Sequence, residues 1–153
     1  MRALLFLLLS LTFASAAPGA DAITGRVVKV LPFFLDLQGR NALSPSLFDR
    51  DAYQAVLRVQ TNRVSGLRFD VLWQVTPATG EKIKLTVDLR GSGTNSVPCV
   101  QTLATNVIPA SSRQWTELPL TGEPYRNLGR LVAWRVALWN GGQLLGEQKS
   151  FLW

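Results

Sequence analysis

The feature that most constrains this chain is a period-2 alternation near its C-terminal end. Val132, Trp134, Val136 and Leu138 take turns with Leu131, Ala133, Arg135, Ala137 and Trp139, the pattern of a pleated ribbon with two different faces. Asn140-Gly141-Gly142 follows, residues that tolerate positive φ, and residues 144–153 run back. A lone hairpin is barely stable in water, so the rest of the chain must bring further strands to cover its apolar face.

The loop sets the register of this hairpin. A two-residue loop, Gly141-Gly142, puts Glu147 across from Val136 and Lys149 across from Trp134, two charges on the apolar face. A three-residue loop from Asn140 to Gly142 flips the last strand. Leu144, Gly146, Gln148, Ser150 and Leu152 then share the face of Trp134, and Glu147, Lys149, Phe151 and Trp153 turn outward. The second register is the one expected.

Upstream, residues 26–37 are rich in β-branched and aromatic side chains but carry Pro32, which cannot donate to a ladder. They are expected to form an edge strand that kinks or changes sheet there. Leu67, Phe69, Val71, Trp73 and Val75 alternate with polar neighbours, as do Ile83, Leu85, Val87 and Leu89 after the Pro77-Ala78-Thr79-Gly80 turn. Residues 99–108 and 115–120 are less regular strands, and residues 121–129 are read as a crossover. Ser46-Leu47-Phe48-Asp49 has capping-box spacing, and Phe48, Ala52, Ala55, Val56 and Val59 recur at helical spacing, which predicts a helix ending near Asn62 with that apolar stripe.

Seven short strands at regular turn spacing with one inserted α-helix describe an all-β, antiparallel sandwich better than a parallel α/β sheet. A Trp-bearing strand leading through a glycine turn into a last edge strand resembles immunoglobulin-like or fibronectin-type sandwiches. The resemblance lies in strand count and pattern, and the cysteine pair of antibody domains is missing.

The first residues read as a leader rather than as part of this fold. A positive start at Met1-Arg2, an apolar run over residues 3–13 and Ala14-Ser15-Ala16 fit a secretory signal peptide over residues 1–16, with Ala20-Asp21-Ala22 as a later cleavage site. The run is too short for a membrane anchor. The domain is therefore expected over residues 23–153, with no transmembrane segment in the mature chain. Cys99 is the single cysteine, no cysteine stands at the cleavage point for lipidation, and no Asn-x-Ser/Thr acceptor occurs. These features point to a secreted or periplasmic bacterial protein that folds without disulfides.

The absence of histidine removes Ser-His-Asp and Cys-His catalysis and imidazole metal sites, and a single thiol removes multi-cysteine clusters. No cofactor, metal or catalytic residue is expected. The net charge of +6 comes from arginines spread along the chain, which suits a solvated surface or an anionic envelope partner and no nucleic acid.

Two surfaces stand out as candidate binding sites. The polar segment 36–53 holds Asp36, Arg40, Asn41, Ser44, Ser46, Asp49, Arg50, Asp51 and Tyr53. Asp49 and Asp51 point to different sides of a helix, where capping and dipole pairing occupy them better than acid/base work. Trp115, Trp139 and Trp153, with Phe151, lie at strand ends, whereas Trp73 and Trp134 sit at strand centres and belong to the core. The first functional expectation is a non-enzymatic module that binds a protein or a cell-envelope polysaccharide surface. A carbohydrate-binding module using the strand-end tryptophans is the alternative, and an enzyme with a site in 36–53 the third. The aromatic C-terminal residues also suit an outer-membrane barrel strand, but seven strands and Lys149 in the last alternation favour the sandwich.

Overall fold

The computed structural model describes residues 22–78, 80–94 and 97–153; the leader expected at residues 1–16 lies outside them. In chain order the described residues form β1 (Thr24–Asp36), α1 (Leu47–Val59), a 3-10 turn (Thr61–Arg63), β2 (Val64–Thr76), β3 (Ile83–Gly91), β4 (Cys99–Val107), β5 (Arg113–Thr121), α2 (Gly122–Leu128), β6 (Leu131–Asn140) and β7 (Gln143–Lys149). The strands make two antiparallel sheets, β1-β2-β5 and β4-β3-β6-β7. One core joins them: Leu67, Phe69, Val71, Trp73 and Val75 of the first sheet with Ile83, Leu85, Val87, Leu89, Val136 and Leu138 of the second. The arrangement is consistent with the expected β-sandwich. Among the described residues, no helix is long and apolar enough to cross a membrane.

Period-2 burial explains why these segments are strands. Trp73 is fully buried, and its indole N–H donates to Thr116 Oγ1 at 2.9 Å, which satisfies the one polar atom that its burial would strand. Trp134 meets Phe69 edge-on, with ring centroids 6.5 Å apart.

Four sequence expectations are corrected. There are two helices among the described residues, not one. The presumed crossover contains α2, where Pro124 falls in the first turn, whose amides need no intrahelical partner, and Gly129 ends the helix at φ 67°. β1 is an edge strand as expected but does not change sheet at Pro32, which pairs with Phe69 inside a continuous ladder; its irregularities lie at Val27/Lys29 and Leu35/Asp36.

The closing hairpin follows neither simple register. Asn140 pairs with Gln143 and Trp139 with Leu144 around a two-residue Gly141-Gly142 loop, and a bulge at Leu145 then shifts the pairing to Leu138↔Gly146 and Val136↔Gln148. Glu147 and Lys149 thus stay off the Trp134 face, as the cost of burying charge demands, but by a bulge rather than a longer loop. Leu144 consequently sits with Trp139 and not with Trp134. The strand also stops at Lys149 instead of running to residue 153: Ser150 turns the chain, donating its amide to the Trp134 carbonyl at 2.9 Å and accepting the Trp134 amide on Oγ at 3.0 Å.

The fourth correction concerns α1. Its buried residues are Tyr53, Gln54 and Leu57, so the stripe of Phe48, Ala52, Ala55, Val56 and Val59 faces away from the protein. The reason is the surface on which the helix docks. α1 covers the free edge of β1, whose unpaired backbone groups need polar partners. Gln54 supplies them, donating Nε2 to the carbonyls of Phe34 and Asn41 at 2.9 and 2.8 Å while its Oε1 accepts the Phe34 amide at 2.8 Å. A purely apolar face could not have satisfied that edge.

Candidate functional site

The polar segment 36–53 folds into a junction between β1 and α1. Asp36 is buried, with 2% exposure. Its Oδ1 accepts the amides of Gln38 and Arg40, each at 2.8 Å, and its Oδ2 accepts Arg40 Nε at 2.9 Å and the Tyr53 hydroxyl at 2.8 Å. Burial alone would raise the Asp36 pKa, but the Arg40 amide, the Tyr53 hydroxyl, the Arg40 guanidinium and the Gln38 amide together hold it at about 2. The same hydrogen bond, followed by burial, raises the Tyr53 hydroxyl. Arg50 pairs with Asp51 at 3.3 Å and lies over the Phe33 ring at 4.9 Å. Ser46 caps the helix by accepting the Asp49 amide on Oγ, and the Asp49 carboxylate accepts the Ser44 hydroxyl at 2.7 Å. Asp36, Arg40 and Tyr53 are brought together, with Arg50 beside them on Phe33. Both oxygens of the Asp36 carboxylate are occupied, Oδ1 in closing the loop after β1 and Oδ2 in fastening Arg40 and, through Tyr53, the helix to the strand.

The aromatic candidates are not brought to one platform. Trp115 is on β5 opposite Leu72, on the outer face of the first sheet. Trp139 and Trp153 are associated with the outer face of the second. The Trp139 indole N–H donates to Thr86 Oγ1 at 3.2 Å, and Arg90 lies 4.0 Å over the Trp153 ring. Thr86, Ala133 and Ala137 on that face are buried in consequence of such coverage. Arg135 crosses the same face to Glu147 at 2.7 Å and holds that carboxyl below its ordinary range. Phe151 is 100% exposed.

A third place, not singled out by sequence, is a cavity of about 570 Å³ between the sheets. The edge of the sandwich beside β1 is sealed at one end and open at the other. At the sealed end a methyl group on Gly146 would lie 2.6 Å from the Gly25 carbonyl oxygen, and one on Gly25 would lie 2.9 Å from Leu145 Cβ; only glycines allow the two backbones this close. At the other end β7 has already stopped. There Pro32 and Phe34 of β1, Leu67 of β2, Tyr125 of α2 and Leu131 of β6 line an apolar mouth, and Arg58, Thr61, Arg126 and Arg130 also border it. Burial raises the Tyr125 hydroxyl.

The position of Arg130 is fixed by the turn after α2. Ser92 donates its amide to the Arg130 carbonyl at 2.9 Å, Gly93 donates to the Leu128 carbonyl at 2.9 Å, and the Arg130 amide donates to Ser92 Oγ at 3.0 Å. The ion pairs among the described residues involve Arg40, Arg50, Arg68, Arg135 and Lys149. Arg58, Arg126 and Arg130 are in none of them, and no carboxylate among the described residues lines the mouth. An apolar slot with uncompensated cations around it can hold a molecule with an apolar tail and an anionic head. Among the described residues its lining pairs no nucleophile with an adjacent base. Sequence reasoning missed this set because Arg126 lies in the segment read as a crossover and Arg130 just after it, and Arg58 joins them only through the docking of α1. No local pattern in the sequence joins the three, since Gly129 ends α2 before Arg130.

The chain matches no protein-family model, no curated protein and no solved structure.

Proposed function

We propose that this protein is an exported, non-enzymatic binding module whose ligand is an amphipathic anion of the cell envelope, with an apolar tail and a carboxylate or phosphate head. The observation that carries this reading is the inter-sheet mouth, apolar within and bordered by Arg58, Arg126 and Arg130, with no carboxylate in its lining among the described residues. Its volume lies within the range of about 300–1,000 Å³ typical of ligand pockets. Each methylene buried there adds roughly 0.8 kcal/mol. An anionic head about 4 Å from a cation gains on the order of 1 kcal/mol in water and about 4 kcal/mol at an effective dielectric near 20. Within this reading the sandwich is of the fibronectin-like kind. Its fourth strand pairs with the third, whereas the constant-type immunoglobulin arrangement places the fourth beside the fifth.

Calorimetric titration with three amphiphiles of equal tail length tests the proposal: dodecanoate, neutral dodecyl maltoside and cationic dodecyltrimethylammonium. Dodecanoate is expected to bind at one site per chain and roughly tenfold or more tighter than the other two. The double substitution Arg126→Glu with Arg130→Glu is expected to reverse that preference. Equal affinity for the three amphiphiles, or a charge-reversed variant that still prefers dodecanoate, would sink the reading.

A further inference from the structure

The outward stripe of α1 has no partner among the described residues. Phe48 and Val59 are each 82% exposed, and Val56 and the neighbouring Leu47 are exposed as well. Phe48, Ala52, Ala55, Val56 and Val59 fall on one side of the helix, opposite the docked Tyr53, Gln54 and Leu57. Solvent-facing apolar residues scattered singly need no explanation, but a continuous stripe along a whole helix does.

Charge is distributed unevenly around that stripe. At its N-terminal end the acids are already engaged: Asp49 accepts the Ser44 hydroxyl and Asp51 pairs with Arg50. At its C-terminal end stand Arg58 and Arg63, and across the mouth Arg126 and Arg130, none of which joins an ion pair among the described residues. The Arg63 guanidinium donates to Gln60 Oε1 at 3.0 Å. A flat apolar strip ending in uncompensated arginines complements an anionic lipid surface, in which apolar side chains enter the acyl boundary while arginines meet phosphates.

The size of the strip points the same way. The helix has 13 residues, which makes a strip about 20 Å long and 10 Å wide, on the order of 200 Å². A standard protein interface buries about 800 Å² per partner, so a second copy of this helix falls well short. A bilayer requires no matching shape and can also take up Leu43, exposed before the helix, and Leu47, exposed at its first position.

We propose that α1 lies on an anionic lipid bilayer through the Phe48, Ala52, Ala55, Val56 and Val59 face, and that this docking brings the arginine-bordered mouth to the headgroup layer from which its ligand is drawn. The second clause rests on the ligand reading above; the first stands without it.

Co-sedimentation of the purified chain with vesicles tests the docking. The chain is expected to sediment with phosphatidylcholine vesicles containing phosphatidylglycerol and to remain in solution with phosphatidylcholine alone. Phe48→Glu with Val59→Glu is expected to reduce sedimentation at least tenfold, while dodecanoate titration of the same variant stays at the parental affinity, since neither residue lines the mouth. Phe48→Trp, a milder change that keeps an interfacial aromatic, is expected to sediment at least as well as the parent. The docking proposal is overturned if the parent stays in solution with anionic vesicles, if the double variant sediments like the parent, or if light scattering shows a dimer that the double variant dissociates without any vesicle binding. Loss of dodecanoate binding in the parent would instead overturn the ligand reading and leave the vesicle result to stand by itself.

Discussion

Gly129→Ala is expected to destabilise the protein by about 3 kcal/mol or more, and to weaken dodecanoate binding with it. Gly129 holds φ 67° and ψ −141°, a region that side-chain-bearing residues essentially do not adopt, at a cost of roughly 1–3 kcal/mol. An added methyl would also lie 2.7 Å from the Gly93 carbonyl oxygen and 2.8 Å from Ser92 Oγ. These are the atoms of the loop that fixes Leu128 and Arg130, so the clash cannot relax without moving one wall of the mouth. Overpacking of this sort adds about 1–3 kcal/mol. Urea unfolding provides the measurement, with an expected drop in midpoint of about 1–2 M. Gly142→Ala serves as the control, because nothing lies within 4 Å of the added methyl and its effect should fall within about 0.5 kcal/mol. If Gly129→Ala unfolds at the parental midpoint, the loop is not the rigid support described.

Acid should unfold this protein partly through one carboxyl. Asp36 titrates at about 2 in the fold against an ordinary value of 3.8. The folded state therefore favours the ionised form, and the stabilisation is fully present above the unfolded value. It declines as pH falls from about 4 towards 2 and is gone below both values. The difference corresponds to about 2 kcal/mol. Asp36→Asn is expected to remove a comparable amount at pH 7, because an amide cannot accept all of the donors that now converge on the carboxylate. Parent and variant unfolded in urea at pH 7, 4 and 2.5 should converge as the pH drops, which isolates Asp36 from other carboxyls such as Glu147. A constant gap between them across that range would refute the assignment.

The strands were legible because each has one face buried in a common core, and burial imposes period-2 alternation directly on side-chain choice. Trp73 and Trp134 could be placed inward from that pattern alone. The failures share a different cause. α1 carries a helical stripe, but the stripe does not identify the buried side, since the helix is held by Gln54 on a strand edge rather than by apolar burial on a sheet face. The bulge at Leu145 was invisible because either loop length could have been written with the same Asn140-Gly141-Gly142, and only Gly25 on a distant strand explains why Leu145 is the residue displaced inward. Of the surfaces singled out from the sequence, Asp36, Arg40 and Tyr53 are brought together, though as a fastening. The mouth depends on Phe34, Arg58, Tyr125 and Arg130, drawn from separated segments with no local pattern to join them.

The close approach of Gly25 and Gly146 joins the first strand of one sheet to the last strand of the other, backbone against backbone. Only residues without side chains can meet at that distance. The rim where the two ends of the fold touch is therefore closed as a seam, and a methyl group on either glycine would act as a wedge between the sheets.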